Sequence, residues 1–176
     1  MNRKEELHNG KDKRLVFLVE DDGGVADTLV SLLDRYKESV TFEKGKNATD
    51  VLPWIEIGSD RRRPDAILLD LMMPYGAARH KLDKDYTDPD DTETGIRLLE
   101  YLRRVEKEAG IDPIWVAIIT ARSPLALKSI GKELLESRCK IYYKPFDSFE
   151  LEDDLMNEIG VTSKVPPHHK KYYPLP

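Results

Sequence analysis

Three short apolar runs, LVFLV (15–19), AILL (66–69) and IWVAII (114–119), each stop abruptly on a polar side chain. Runs of four to six residues without polar alternation cannot be strands with one wet face, so they predict strands covered on both sides. Two shorter runs, at 40–42 and 141–143, extend the series. Helical stripes lie between them. Val25, Leu29, Leu32, Leu33 and Tyr36 share one face, as do Ala48, Val51, Leu52 and Ile55, then Ile96, Leu99, Leu102 and Val105, then Leu127, Ile130, Leu134 and Leu135, and finally Leu151, Leu155 and Ile159. Five alternations with short connections predict an α/β fold, a doubly wound five-stranded parallel sheet with helices on both faces. No internal repeat is visible.

Punctuation supports this order. Ser123 followed by Pro124 starts one helix, and Asp147 with Glu150 resembles a capping box for the last, which Gly160 ends. Thr94 is the expected cap of the third helix and Gly110 its stop. Pro53 requires the second helix to start late or bend. Arg61, Arg62 and Arg63 read as a solvated turn. Residues 1–13 read as a flexible arm, 14–160 as the folded domain, and 161–176, with four prolines, as a tail in which His168 and His169 are solvated.

The 176 residues suffice for one domain, and a net charge of −5 gives no general attraction for nucleic acid or an anionic membrane. No apolar run approaches the length of a bilayer span, so a cytoplasmic protein is expected. The lone Cys139 excludes an intrachain disulfide and reads as a small buried apolar residue. Residues 75–93 are the least regular part. Asp83, Asp85, Asp88, Asp90, Asp91 and Glu93 meet few apolar residues there, and a loop of this length is either functional or disordered. The acid spacing hints at calcium, but the glycine and terminal glutamate of a calcium-binding loop are missing.

The strand ends carry the chemistry: acids at 20–22, then Asp70, Thr120 and Lys144. A parallel sheet brings such ends to one edge, where crevices form. An isolated strand-end Asp is ordinarily a turn cap; four polar strand ends together argue for a site. Clustered carboxylates repel, and a hard divalent cation relieves that cost, with oxygen donors suiting Mg²⁺. A carboxylate can also attack a phosphoryl group to give an acyl phosphate, with an ammonium and a hydroxyl stabilising the transferring oxygens.

The ordered motifs VFLVEDD, DAILLDLMMP, VAIITA and YYKPF resemble the receiver domain of two-component response regulators, over roughly 14–160. The resemblance implies strand order 2-1-3-4-5, Asp70 as phosphoacceptor, and a histidine kinase or histidine phosphotransfer protein as donor. It further implies Asp21 as direct Mg²⁺ ligand, Glu20 acting through water, Asp22 as adjacent only, the Met72 carbonyl as a further ligand, and a cis peptide before Pro145. Thr120 and Lys144 would contact the phosphoryl group. The expected protein is a stand-alone receiver that catalyses nothing beyond its own phosphorylation and slow dephosphorylation. Its output would be an unknown partner bound at the α4-β5-α5 face, made by the helix after Pro124, the fifth strand and the last helix. A receiver-like interaction module that works without phosphorylation is the alternative. A haloacid-dehalogenase-type phosphatase would need a second Asp where Met72 stands. Three features depart from the family pattern: the 75–93 insertion before Gly95, Ile141 where an aromatic switch residue is usual, and Met72 and Arg122 at positions that influence hydrolysis.

Overall fold

The computed structural model describes residues 13–88, 90–127 and 138–165. The expectations for 1–12, for 166–176 with His168 and His169, and for the stripe at Ile130, Leu134 and Leu135 lie outside those residues. In order, the chain forms β1 (Arg14–Val19), α1 (Gly23–Leu33), β2 (Val40–Gly45), α2 (Ala48–Ile55), β3 (Ala66–Asp70), α3 (Thr94–Ala109), β4 (Trp115–Thr120), α4 (Pro124–Leu127 as described), β5 (Cys139–Tyr143) and α5 (Ser148–Glu158). All pairings are parallel, in the order β2-β1-β3-β4-β5.

Strand alternation divides the core into two layers. Phe17, Val19, Ile67 and Leu69 pack with α2 and α3, while Val16, Leu18, Ala66 and Leu68 pack with α1 and α5. Both sets are buried because helices cover both faces, which is why the runs show no polar alternation. The strand order reverses between β1 and β3, so their carboxyl ends diverge and leave the crevice typical of such switch points.

Local physics revises several expectations. Helix α2 does not start late: Asn47 caps it by accepting from the Asp50 N–H at 3.3 Å, and Pro53 lies inside the helix on its exposed side. The arginine triplet is not simply solvated. Arg63 and Arg103 both pair with the buried Glu106, which also accepts from the Ile114 N–H at 2.7 Å, and Arg61 lies over the Trp54 ring. Cys139 is only half-buried, beside Arg103.

The 75–93 stretch is folded, and it contains a short repeat that apolar periodicity does not reveal. Asp83 accepts from the Thr87 N–H and hydroxyl, both at 2.9 Å, and from the Asp88 N–H at 3.1 Å. Asp88 does the same five residues on, accepting from the Thr92 N–H at 2.9 Å, its hydroxyl at 2.8 Å and the Glu93 N–H at 2.6 Å. The residue three past each Asp, Tyr86 or Asp91, has positive φ (51° and 57°). The bonding pattern of Asp83 with Thr87 and Asp88 thus recurs in that of Asp88 with Thr92 and Glu93. Thr94 does not cap α3: it is the first helical residue, Glu93 stands at the cap position without a side-chain cap bond, and the Thr94 hydroxyl donates to the Asp91 carbonyl. The calcium hint fails for the same reason, since both buried carboxylates are satisfied by the chain's own donors.

Arg79 completes the insertion, pairing with Asp83 and Asp91 while its guanidinium lies 4.4 Å from the Tyr75 ring centroid. The Thr49 hydroxyl, on α2, donates to the Tyr75 carbonyl and accepts from the Ala78 N–H. At the far end of the domain, Glu152 of α5 is fully buried against Arg35 and the Tyr36 hydroxyl. That hydroxyl also accepts from the Lys164 N–H at 2.6 Å, so 161–165 lies on the domain and Val165 is buried.

Candidate functional site at the carboxyl edge of the sheet

Backbone pairing that continues one residue past the strands sets the site. The Glu20 N–H donates to the Gly45 carbonyl at 3.1 Å, and the Lys144 N–H donates to the Thr120 carbonyl at 2.8 Å. Those bonds hold Glu20 and Lys144 at the sheet edge where Asp70 ends β3. Lys144 Nζ then reaches both carboxylates, 2.8 Å from Glu20 Oε2 and 3.1 Å from Asp70 Oδ2. The other Asp70 oxygen accepts from the Met72 N–H at 3.1 Å, and the other Glu20 oxygen from the Asp22 N–H at 3.3 Å.

Glu20, Asp21 and Asp70 each bring a carboxylate oxygen within 4.8 Å of the others, the one such group of three among the described residues. Glu20 and Asp70 are buried, whereas Asp21 is exposed. Burial pushes the Glu20 carboxyl up; Lys144 offsets this in part, the Asp70 charge adds to it, and the net shift is upward. For Lys144 burial acts downward, but donation to Glu20 and Asp70 outweighs it and holds the ammonium above its ordinary value. Three carboxylates there face the one Lys144 ammonium. An all-oxygen donor set of that charge fits Mg²⁺.

Thr120 is buried at the end of β4, one residue past the register partner of Asp70, and its Oγ1 accepts from the Arg122 N–H at 3.1 Å. Met72 is exposed. The Lys144–Pro145 peptide is cis. Asp22 has a role that its neighbours concealed: its Oδ1 accepts from the Gly24 N–H at 2.8 Å and caps α1. The apolar residue that follows the glycine pair signals such a cap. Ile141 packs at the margin of the α2/α3 layer, while Tyr142 points into the other layer with its hydroxyl 2.6 Å from Asp154. Gly95 lies close under the site. Its N–H donates to the Leu71 carbonyl, and a Cβ there would fall 2.5 Å from the Asp70 carbonyl oxygen.

A doubly wound parallel sheet in the order 2-1-3-4-5, with an acid cluster and a lysine gathered at its edge, is the receiver fold of response regulators. Solved structures with the same fold include the phosphorylated cyanobacterial phytochrome response regulator RcpA (16% identity, 88% of this chain and 99% of that one, TM-score 0.59). A second is the Ssk1 receiver domain, crystallised with the Saccharomyces cerevisiae histidine phosphotransfer protein Ypd1 (21% identity, 82% and 87%, TM-score 0.57). A third is the receiver domain of the Pseudomonas aeruginosa sensor histidine kinase PA1611, which has a magnesium ion in its active-site cleft (22% identity, 84% and 98%, TM-score 0.53). No family model matches the chain, and no curated protein matches it. No helix among the described residues is long and apolar enough to cross a membrane.

Proposed function

We propose that this chain is a cytoplasmic receiver that accepts a phosphoryl group on Asp70, in a Mg²⁺-dependent reaction, from a histidine kinase or histidine phosphotransfer protein. The observation that carries the reading is Lys144 Nζ held between Glu20 and Asp70 at 2.8 and 3.1 Å, beside the three-carboxylate cluster. The receiver unit spans at least 14–160, with its packed edge reaching Val165.

Asp21, Asp70 and the Met72 carbonyl would hold the cation, with Glu20 acting through water. Once bound, it would supply positive charge to the transferring phosphoryl oxygens. An Asp70 carboxylate oxygen forms the new O–P bond as the donor's N–P bond breaks, and the electron pair stays on the imidazole nitrogen. The Lys144 ammonium and the Thr120 hydroxyl are placed to meet the phosphoryl oxygens. Drawing Thr120 toward them shifts a two-state equilibrium that is read by a separate partner at the α4-β5-α5 face.

Incubation with Mg²⁺ and acetyl phosphate should add one phosphoryl group by intact mass, and Asp70→Asn should add none. No adduct on the wild type would support the phosphorylation-independent module instead, and an equal adduct on both proteins would count against Asp70 as the phosphoacceptor. Met72 and Arg122 flank the site without a side chain suited to orient an attacking water. The adduct should therefore persist for minutes or longer after the donor is removed; decay within seconds in the mass time course would contradict this.

A further inference from the structure

The segment that leaves β3 beyond the acid cluster is held from two sides. Toward the cluster, the Met72 N–H donates to Asp70 Oδ1 at 3.1 Å, and the Gly95 N–H donates to the Leu71 carbonyl at 3.0 Å. Away from it, the segment is held by the first turn of α2. The Ala48 N–H donates to the Pro74 carbonyl at 3.1 Å, and the Thr49 hydroxyl donates to the Tyr75 carbonyl at 3.1 Å while accepting from the Ala78 N–H at 3.0 Å. One hydroxyl thus serves the bend as both donor and acceptor. The fit is close, since Gly76 turns there with φ 59° and a Cβ on it would fall 2.6 Å from Thr49 Oγ1 and 3.0 Å from Asn47 Oδ1. Between the two anchors lies the Met72 carbonyl.

Resting on the Mg²⁺-dependent function proposed above, we infer that Thr49 is a positioning residue for the cation: its hydroxyl fixes the exit of this segment and thereby the place of the Met72 carbonyl beside Asp21 and Asp70. Mg²⁺ demands near-octahedral oxygen donors at about 2.0–2.1 Å, so a small displacement of one donor is costly. A carboxylate ligand follows the ion by rotating about its side-chain bonds. A main-chain carbonyl moves only with the backbone on either side of it. The Tyr75 side chain is tied elsewhere, its hydroxyl to Asp88 of the insertion at 3.1 Å, so the Thr49 hydroxyl is what joins the Tyr75 carbonyl to α2. The bend itself does not depend on that hydroxyl, because the Ala78 N–H also donates to the Tyr75 carbonyl at 3.2 Å. Removing the hydroxyl therefore loosens the tether to α2 and leaves the turn.

The test titrates Mg²⁺ alone into the full chain by calorimetry, with melting curves recorded in its absence. The proteins are the wild type, Thr49→Val, Thr49→Ala, Thr49→Ser and the control Thr87→Val. Thr49→Val keeps the volume and loses the hydroxyl, whereas Thr49→Ser keeps the hydroxyl and loses a methyl group. Thr87→Val removes a comparable hydroxyl bond, to Asp83 within the insertion. Thr49→Val and Thr49→Ala should bind Mg²⁺ about tenfold more weakly, the lower end of what losing a partner behind a metal ligand costs. Thr49→Ser and Thr87→Val should bind as the wild type does, whatever their melting temperatures. Either hydroxyl-free variant that stays folded decides the comparison; if neither folds, the inference is overturned, because a positioning role leaves the fold intact. Wild-type affinity in the hydroxyl-free variants overturns it as well, and so does an equal loss in Thr49→Ser or Thr87→Val, which would mean volume or general loosening. A wild type that binds no Mg²⁺ overturns the function on which the inference rests.

Discussion

A single missing methyl group sets the backbone under the site. A Cβ at Gly95 would lie 2.5 Å from the Asp70 carbonyl oxygen and 2.6 Å from the Leu71 Cα, both main-chain atoms that cannot swing aside. Its φ is not in the left-handed region, so the constraint is space and not torsion. Gly95→Ala should lower stability by about 1–3 kcal/mol, the usual cost of overpacking. It should also slow acetyl phosphate labelling by displacing the loop that carries the Met72 N–H; chemical denaturation and the mass assay measure the two effects. The same scale separates what sequence shows from what it hides. Asp70, Glu20 and Lys144 were legible because each ends an apolar run, which fixes both its position and the edge it reaches. The capping role of Asp22 was hidden among three adjacent acids, whose identity alone does not say which carboxylate turns back to the chain.

At the scale of elements, the insertion is held by two buried carboxylates that work against their own desolvation. Burial pushes the Asp88 carboxyl up, but donation from the Glu93 N–H, the Thr92 hydroxyl and N–H, and the Tyr75 hydroxyl brings it net below its ordinary value. Asp83 is lowered in the same way by Thr87, Asp88 and Arg79. Tyr75 responds in the opposite sense, pushed up to about 12 by burial and the Asp88 charge. With a folded pKa below the unfolded one, each Asp contributes stability above the ordinary carboxylate range, near pH 4, and loses it as pH falls through the depressed folded value. Asp88→Asn should therefore be less stable than wild type by about 1–3 kcal/mol at pH 7, for lost bonds to buried donors. The two melting temperatures should converge as pH drops below about 4. A difference that stays constant from pH 7 to pH 3 would show that the ionised carboxylate is not what holds the turn. The sequence left this element open because its order comes from polar side chains binding nearby backbone, which apolar periodicity does not register.

Across the whole molecule, the strand order and the two-layered core follow from the runs at 15–19, 66–69 and 114–119, because burial on both faces leaves few arrangements other than a covered parallel sheet. The edge of the domain followed less well. The segment after Gly160 has no period of its own, yet it lies on the Tyr36 hydroxyl, which is itself committed to Glu152. That contact joins Lys164 to Tyr36, just after α1, across 128 residues, beyond the reach of local pattern. The carboxylate cluster and this clasp lie toward opposite ends of α1.

The tandem turns have an evolutionary consequence. Asp88 closes the first turn as an N–H donor and opens the second as an acceptor, so each five-residue unit hands the next its starting group. A further five-residue unit of this kind would bring its own acceptor and its own donors, which an insertion of another size would not. Among related chains, this loop should vary in length like a vernier, one complete turn at a time.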